Sequence, residues 1–150
     1  MPQSYTCLHY HLVFSTKHRA PAITPEIRPR LWEYFGGIVR GQKGIPVQIG
    51  GTADHVHLLV TLRQEPARAA FLRELKAGSS RWVHDTFPAA GDFAWQVGYR
   101  AFTVSHSGRD AVRAYIADQE EHHRTVTFQG EFRALLVKHG IQFDEKYLWD

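Results

Sequence analysis

Residues 53–60 read ADHVHLLV. Placed on an extended strand, the stretch separates into two faces, because successive side chains point to opposite sides. Val56, Leu58, Val60 and, further on, Leu62 share one face; His55 and His57 share the other. The aliphatic face requires a covering layer of helices. The histidine face is expected to stay open, with both imidazoles projecting from a rigid strand, close enough to grip one cation.

Working outward, PVQIGGT before this stretch reads as a partner strand, with a short turn near Gly50, Gly51 and Thr52. Residues 5–15, YTCLHYHLVFS, form another strand, with Tyr10, Leu12 and Phe14 on one face and His9, His11 and Val13 on the other. Thr24-Pro25-Glu26 predicts a helix start, with Thr24 as N-cap, Pro25 at the first helical position and an apolar stripe of Ile27, Leu31, Tyr34, Phe35 and Ile38. Pro29 is a flaw in that helix, forfeiting one bond. A second helix runs through PARAAFLRELKAGSSRWVHDTF, a fourth strand through FAWQVGYRAFTVS, and a third helix through GRDAVRAYIADQEEHHR, capped by Ser105 or Ser107. FQGEFRALLVKHG is a fourth helix before an irregular tail. The order β-α-β-β-α-β predicts a single α+β domain over residues 1–150, a ferredoxin-like (RRM-like) antiparallel sheet with extra C-terminal helices.

The 150 residues suffice for one domain with a sizeable core. One cysteine, Cys7, allows neither an internal disulfide framework nor a cysteine-based metal site. The start lacks a secretory pattern, and no apolar run approaches the roughly 18 residues of a membrane span; a cytoplasmic protein with no membrane partner is expected. Net charge is +3. Its distribution is uneven: residues 1–50 carry 6 Lys/Arg against 2 Asp/Glu, residues 51–100 carry 6 against 5, and residues 101–150 carry 6 against 8. The basic first half is what a phosphate-binding footprint looks like.

There are 10 histidines, several of them paired: His9 with His11, His55 with His57, His122 with His123. A His-x-His pair is a weak motif until a third ligand is found. In AVRAYIADQEEHH, Tyr115 and Gln119 stand four apart and share a helix face. Tyr115 is a phenol able to attack phosphorus, and Gln119 an amide-oxygen ligand one turn away. His122 and His123 lie close enough to Gln119 to compete as ligands. His9 and His11 lie on the sheet face of His55 and His57, so a four-histidine zinc site is also open. Taken singly, each of these residues is more often a solvated surface group or a core neighbour than a site residue.

Together, DHVHLL and the Tyr-x-x-x-Gln of YIADQ, with HLVFSTKHR and FAWQVGYRAFTVS around them, resemble the HUH single-tyrosine transposases of bacterial insertion sequences and their REP-associated tyrosine transposase relatives. The resemblance spans residues 5 to about 125. It implies a divalent metal ion, Mg²⁺ or Mn²⁺, on His55, His57 and Gln119, with Tyr115 attacking a phosphate to leave a 5′-phosphotyrosine and a free 3′-hydroxyl. It implies single-stranded DNA with hairpins at element ends as substrate, no small-molecule substrate, and a homodimer with active sites in trans. Lys17, Arg19, Arg68, Arg73, Lys76 and Arg81 are candidate phosphate contacts. Two other readings stand beside it: a domesticated hairpin-DNA-binding protein of the same fold without transposition activity, and a zinc hydrolase in which Tyr115 is structural.

Overall fold

A computed structural model describes residues 7–62 and 68–143, the side chains of 68 and 69 excepted. The expected first turn of strand one at residues 5 and 6, the start of the second helix, the side chain of Arg68 and the tail beyond residue 143 lie outside the described residues.

Four strands form one antiparallel sheet: β1 (Leu8–Ser15), β2 (Gly44–Gly51), β3 (His55–Leu62) and β4 (Arg100–Val104), in the order β2-β3-β1-β4. The central pair is in register, with Leu12 opposite Leu58 and Val13 opposite His57. Helix α1 (Arg28–Gly41) and the run α2 (Arg68–Arg73), a π-helical turn (Glu74–Gly78) and α3 (Ser79–Thr86) cover one face. Leu12, Phe14, Val56, Leu58, Val60 and Leu62 of the sheet pack there against Leu31, Phe35, Val39, Phe71, Leu72 and Leu75. Each fully buried aliphatic contributes about 1.5–3 kcal/mol. The sheet faces are thus as the alternation dictates, and the strand order and helical layer are those of a ferredoxin-like sheet.

Helix α1 starts later than expected. Thr24 still caps the turn that leads into it, its Oγ1 accepting from the Ile27 amide at 3.4 Å and its carbonyl from the Ile27 and Arg28 amides, and Pro29 falls in the first helical turn. A proline is tolerated there, in the first turn of the helix. Strand four is also shorter than the sequence suggests. Trp95 makes an isolated bridge to Thr16, and regular pairing begins only at Arg100. Trp95 instead fills the core against Phe14, Phe35 and Phe93, its indole N–H donating to buried Ser79 Oγ at 2.9 Å.

The third helix is two pieces: α4 (Arg109–Ala117) and α5 (Gln119–His122), broken at Asp118, whose φ of −100° and ψ of 21° leave the helical region. Helix α6 (Phe128–Lys138) follows, capped by Thr127 Oγ1, which accepts from the Gly130 amide. It turns back onto the second face of the sheet, where Phe128, Phe132 and Leu136 pack on Val13 and Phe102. Among the described residues, no helix is long and apolar enough to cross a membrane.

Candidate metal and tyrosine centre

Helix α6 overturns one expectation. His55 and His57 are both 0% exposed. The crossover helices do leave their face open, but α6 closes it, with the Phe128 ring 4.4 Å from the His55 ring. The pair is therefore buried beneath the fourth helix that the sequence predicts.

The centre is built from three layers. From β3, His55 and His57 point their Nε2 atoms inward. From α4, α5 and the residue that ends α5, Tyr115, Gln119 and His123 close one side. Gln119 is 1% exposed, and its Oε1 lies 2.9 Å from His55 Nε2 and 3.1 Å from His123 Nε2. The helix break at Asp118 does not separate Tyr115 from Gln119; the Gln119 amide still reaches the Tyr115 carbonyl at 3.4 Å. From α6 comes Glu131, 3% exposed. Its Oε1 meets His57 Nε2 at 2.8 Å and stands 3.7 Å from His55 Nε2. Its Oε2 accepts from Gln119 Nε2 at 3.1 Å, lies 3.1 Å from His123 Nε2, and takes a hydrogen bond from the Tyr115 hydroxyl.

Electrostatics follow from this packing. Burial holds His57 neutral, its pKa brought down to about 4, and burial likewise pushes His11 well below the ordinary histidine value. Burial would raise Glu131, but hydrogen bonds from His123, His57 and Tyr115 overcome it and hold the carboxyl well below the carboxylate range. Burial and the Glu131 charge push the Tyr115 phenol far above its usual value, so it is neutral here. His123 is raised, because Glu131, the Val126 carbonyl and Asp54 together outweigh its burial.

The fit to a divalent cation can be judged from the donors themselves. One atom from each of His55, His57, His123 and Glu131 lies within 4.8 Å of the others. Zinc-type sites place ligands about 2.0–2.1 Å from the ion, so tetrahedral neighbours stand about 3.3 Å apart. The observed separations bracket that value. His122 Nε2 is 3.1 Å from Glu131 Oε2 but off the direction of a hydrogen bond, and is buried without a hydrogen-bond partner. Of the expected ligands, His55, His57 and Gln119 come together, with Tyr115 beside them: its ring centroid is 5.7 Å from that of His57.

A cleft of about 620 Å³ between β4, α4 and α6 leads to this centre, lined by His11, Thr103, Tyr115, Glu131, Leu135 and Lys138 among others. Sequence reasoning missed Glu131. Its signal was nonetheless present: Phe128, Phe132 and Leu136 form an apolar stripe, and Glu131 sits within it. A carboxylate on a buried stripe requires a partner. A smaller group, exposed Cys7 with His9 and His106, lies at the far end of β1, where His9 Nδ1 is also bonded to Thr61 Oγ1 at 2.7 Å.

The basic residues divide differently. Lys17 and Arg19 lie in the turn after β1, and Lys17 is exposed. Arg73 and Arg81 are exposed on the helical layer of the opposite sheet face, away from Tyr115. The Lys76 ammonium instead donates to the Gln96 and Gly98 carbonyls, tying down the loop before β4.

Comparison with known proteins gives the family. Residues 4–119 match the family profile described as Transposase IS200 like. The ISDra2 transposase TnpA of Deinococcus radiodurans is 29% identical over 120 residues, covering 76% of this chain and 85% of that protein. A crystal structure of a transposase from Deinococcus radiodurans R1 superposes with a TM-score of 0.63 at 27% identity, covering 79% of this chain and 96% of that one. A REP-associated tyrosine transposase bound to a REP hairpin shares the fold, with a TM-score of 0.59 at 12% identity over 82% of this chain and 73% of that one. With the match spanning both the histidine strand and the tyrosine helix, the chain belongs to the IS200-like transposase family.

Proposed function

We propose that this protein nicks and rejoins single-stranded DNA, with Tyr115 as nucleophile and a divalent cation, Mg²⁺ or Mn²⁺, held at His55, His57 and Gln119. The observation that carries the reading is the convergence of the Tyr115 hydroxyl and the His57 imidazole on one buried carboxylate at the end of an open cleft. In the reaction, Tyr115 Oη forms a bond to phosphorus and the bond to the departing 3′-oxygen breaks. The product is a 5′-phosphotyrosine and a 3′-hydroxyl. The covalent link conserves the phosphodiester for rejoining. Glu131 Oε2, which already accepts the phenol hydrogen bond, is the atom on hand for its proton, which then passes to the departing 3′-oxygen to give the hydroxyl. A bound divalent cation supplies Lewis-acid polarisation of the phosphate and offsets the negative charge that keeps Tyr115 neutral.

DNA hairpins are the proposed recognition element, supported by the fold shared with a transposase bound to a REP hairpin. Lys17 and Arg19 at the end of β1 and exposed Arg73 and Arg81 are the proposed phosphate contacts, together with Arg68; action in the cytoplasm is part of the same reading. The test is covalent capture. Protein incubated with Mn²⁺ and single-stranded DNA from the flanks of its own gene should give a mass-shifted adduct on a denaturing gel, abolished by chelator and by Tyr115→Phe. Hairpin binding without any adduct would instead support a binding protein that has lost the chemistry. Hydrolysis surviving Tyr115→Phe would support a water-using zinc hydrolase.

A homodimer with sites in trans is the part of the proposal that a mixing experiment decides. Within one chain, Tyr115 already meets its own His57. Exchange between copies requires α4 to swing out about residues 105–110, where Ser105 caps a short turn at Gly108. Tyr115→Phe and His57→Ala subunits, each inactive alone, recover cleavage when mixed only if α4 is exchanged. No recovery, with heterodimers present, assigns the site to one subunit.

A further inference from the structure

We propose that His123 and Glu131 are metal ligands alongside His55 and His57, making a cage of three histidines and one carboxylate that takes a transition-metal dication such as Zn²⁺, Mn²⁺ or Co²⁺ in preference to Mg²⁺. This inference rests on the metal-dependent reading above and revises its ligand set, with His123 and Glu131 in place of Gln119. His123 and Glu131 both lie beyond residue 119, where the family match ends.

The argument is one of donors and acceptors. His55 Nδ1 is 2.8 Å from Asp54 Oδ1, an oxygen that also accepts from Thr52 Oγ1 at 3.0 Å. An ionised carboxylate only accepts, so His55 Nδ1 carries the hydrogen. His123 Nδ1 is 2.7 Å from the Val126 carbonyl, which also only accepts, so His123 Nδ1 carries the hydrogen too. With Nδ1 of each ring committed outward, the inner Nε2 atoms are the groups left to face the centre. They face Gln119 Oε1 at 2.9 and 3.1 Å, and His123 Nε2 also faces Glu131 Oε2 at 3.1 Å. The Gln119 amide is not flipped. Its nitrogen is needed as donor to Glu131 Oε2 at 3.1 Å, and the flip would set oxygen against oxygen there. Three imidazole nitrogens and a carboxylate oxygen, all within 4.8 Å of one another, thus crowd one point with the Gln119 oxygen beside them, a donor set that a transition-metal dication takes.

The outer shell has the form of a metal site. Each of the three inner histidines has its Nδ1 tied to a partner: Asp54 carboxylate for His55, His11 Nε2 at 2.7 Å for His57, and the Val126 carbonyl for His123. Metal-bound histidines are oriented in this way, by a carboxylate, a carbonyl or another polar partner on the far nitrogen. Three imidazoles and a carboxylate favour zinc-like and other transition dications, whereas Mg²⁺ favours oxygen ligands and keeps its waters.

The experiment is metal binding by the full chain, without DNA. Protein stripped with chelator is titrated with Co²⁺, and Zn²⁺, Mn²⁺ and Mg²⁺ compete for the site. Wild type should show the intense visible bands of four-coordinate Co²⁺, and Mg²⁺ should fail to displace it at about 100-fold excess. Glu131→Gln and His123→Gln, both near-isosteric, should each weaken Co²⁺ binding by at least about 100-fold, the upper end of what loss of an outer-shell partner costs, and Asp54→Asn by about 10–100-fold. His122→Ala should bind as wild type does. Circular dichroism checks that each variant is folded, and Glu131→Asp, which keeps the carboxylate, should retain more affinity than Glu131→Gln. If Glu131→Gln and His123→Gln bind Co²⁺ as wild type while His57→Gln does not, the inference is overturned and the His55, His57, Gln119 centre stands. If His57→Gln also binds as wild type, the metal reading of the histidine pair falls with it.

Discussion

Gly50→Ala tests whether the tyrosine helix is seated by contact with the sheet. Gly50 lies opposite His57 in the β2–β3 register, so a side chain there would project from the histidine face of the sheet. In its place the backbone of α4 comes in: a Cβ built at Gly50 falls 2.2 Å from the Ile116 carbonyl oxygen and 3.0 Å from Ile116 Cγ2. Real Cβ atoms essentially never come under 3.0 Å, so the 2.2 Å contact is at least 0.8 Å too short. The obstacle is backbone, and Ile116 is fully buried, so the helix must lift as a body. Overpacking of this kind costs about 1–3 kcal/mol. The larger effect falls on chemistry, because Tyr115 and Gln119 flank Ile116 on the displaced segment. A misplacement of about 1 Å costs about 100-fold in rate. The assay is single-turnover formation of the tyrosine–DNA adduct, with thermal unfolding alongside. We expect a folded protein, a Tm lower by several degrees and adduct formation slowed about 100-fold. Wild-type adduct kinetics in Gly50→Ala would refute the claim that this close approach sets the position of α4.

Tyr115→Phe should remove the adduct while leaving hairpin affinity, read by gel shift, within about 3-fold, since the phenyl ring still packs on His57; adduct from this variant would move the nucleophile elsewhere. In metal-free protein, His57 titrates near pH 4 when folded but near 6.5 when unfolded, so the unfolded chain takes the proton first and stability is lost as pH falls from 6.5 to 4, by about 3 kcal/mol. Urea midpoints across that range should fall in wild type in the presence of chelator, and an equal slope in His57→Gln would show the loss comes from other groups. Lys76→Ala should lower Tm by freeing the Gln96 and Gly98 carbonyls and leave DNA affinity nearly unchanged, whereas Lys17→Ala should weaken DNA binding and reduce its salt dependence; the reverse pattern would return Lys76 to the DNA surface.

How much of this was legible in the sequence depends on the range of the interaction concerned. The two faces of β3 follow from a period of two, so Val56, Leu58 and Val60 on one side and His55 and His57 on the other were readable from eight residues. The partnership of Tyr115 with Gln119 was readable from helical spacing and survives the break at Asp118, because a turn-to-turn contact spans it. The burial of the histidines was not readable, since it depends on where α6 lands, and an amphipathic helix specifies its own apolar stripe but not the surface it will cover. Yet the sheet face narrows the choice. His9, His11, His55 and His57 crowd it with imidazoles, and an entirely apolar helix laid on them would leave His57 Nε2 buried without a partner, at a cost of about 1–3 kcal/mol. A helix carrying one carboxylate amid its apolar stripe meets both demands: Phe128 and Phe132 exclude water, and Glu131 takes up the inward-facing nitrogen. The family-matched segment, residues 4–119, therefore ends short of the residues that complete this centre. A chain truncated after residue 124 would keep His55, His57, Tyr115 and Gln119 but expose them, and its metal and DNA chemistry would be that of an open site.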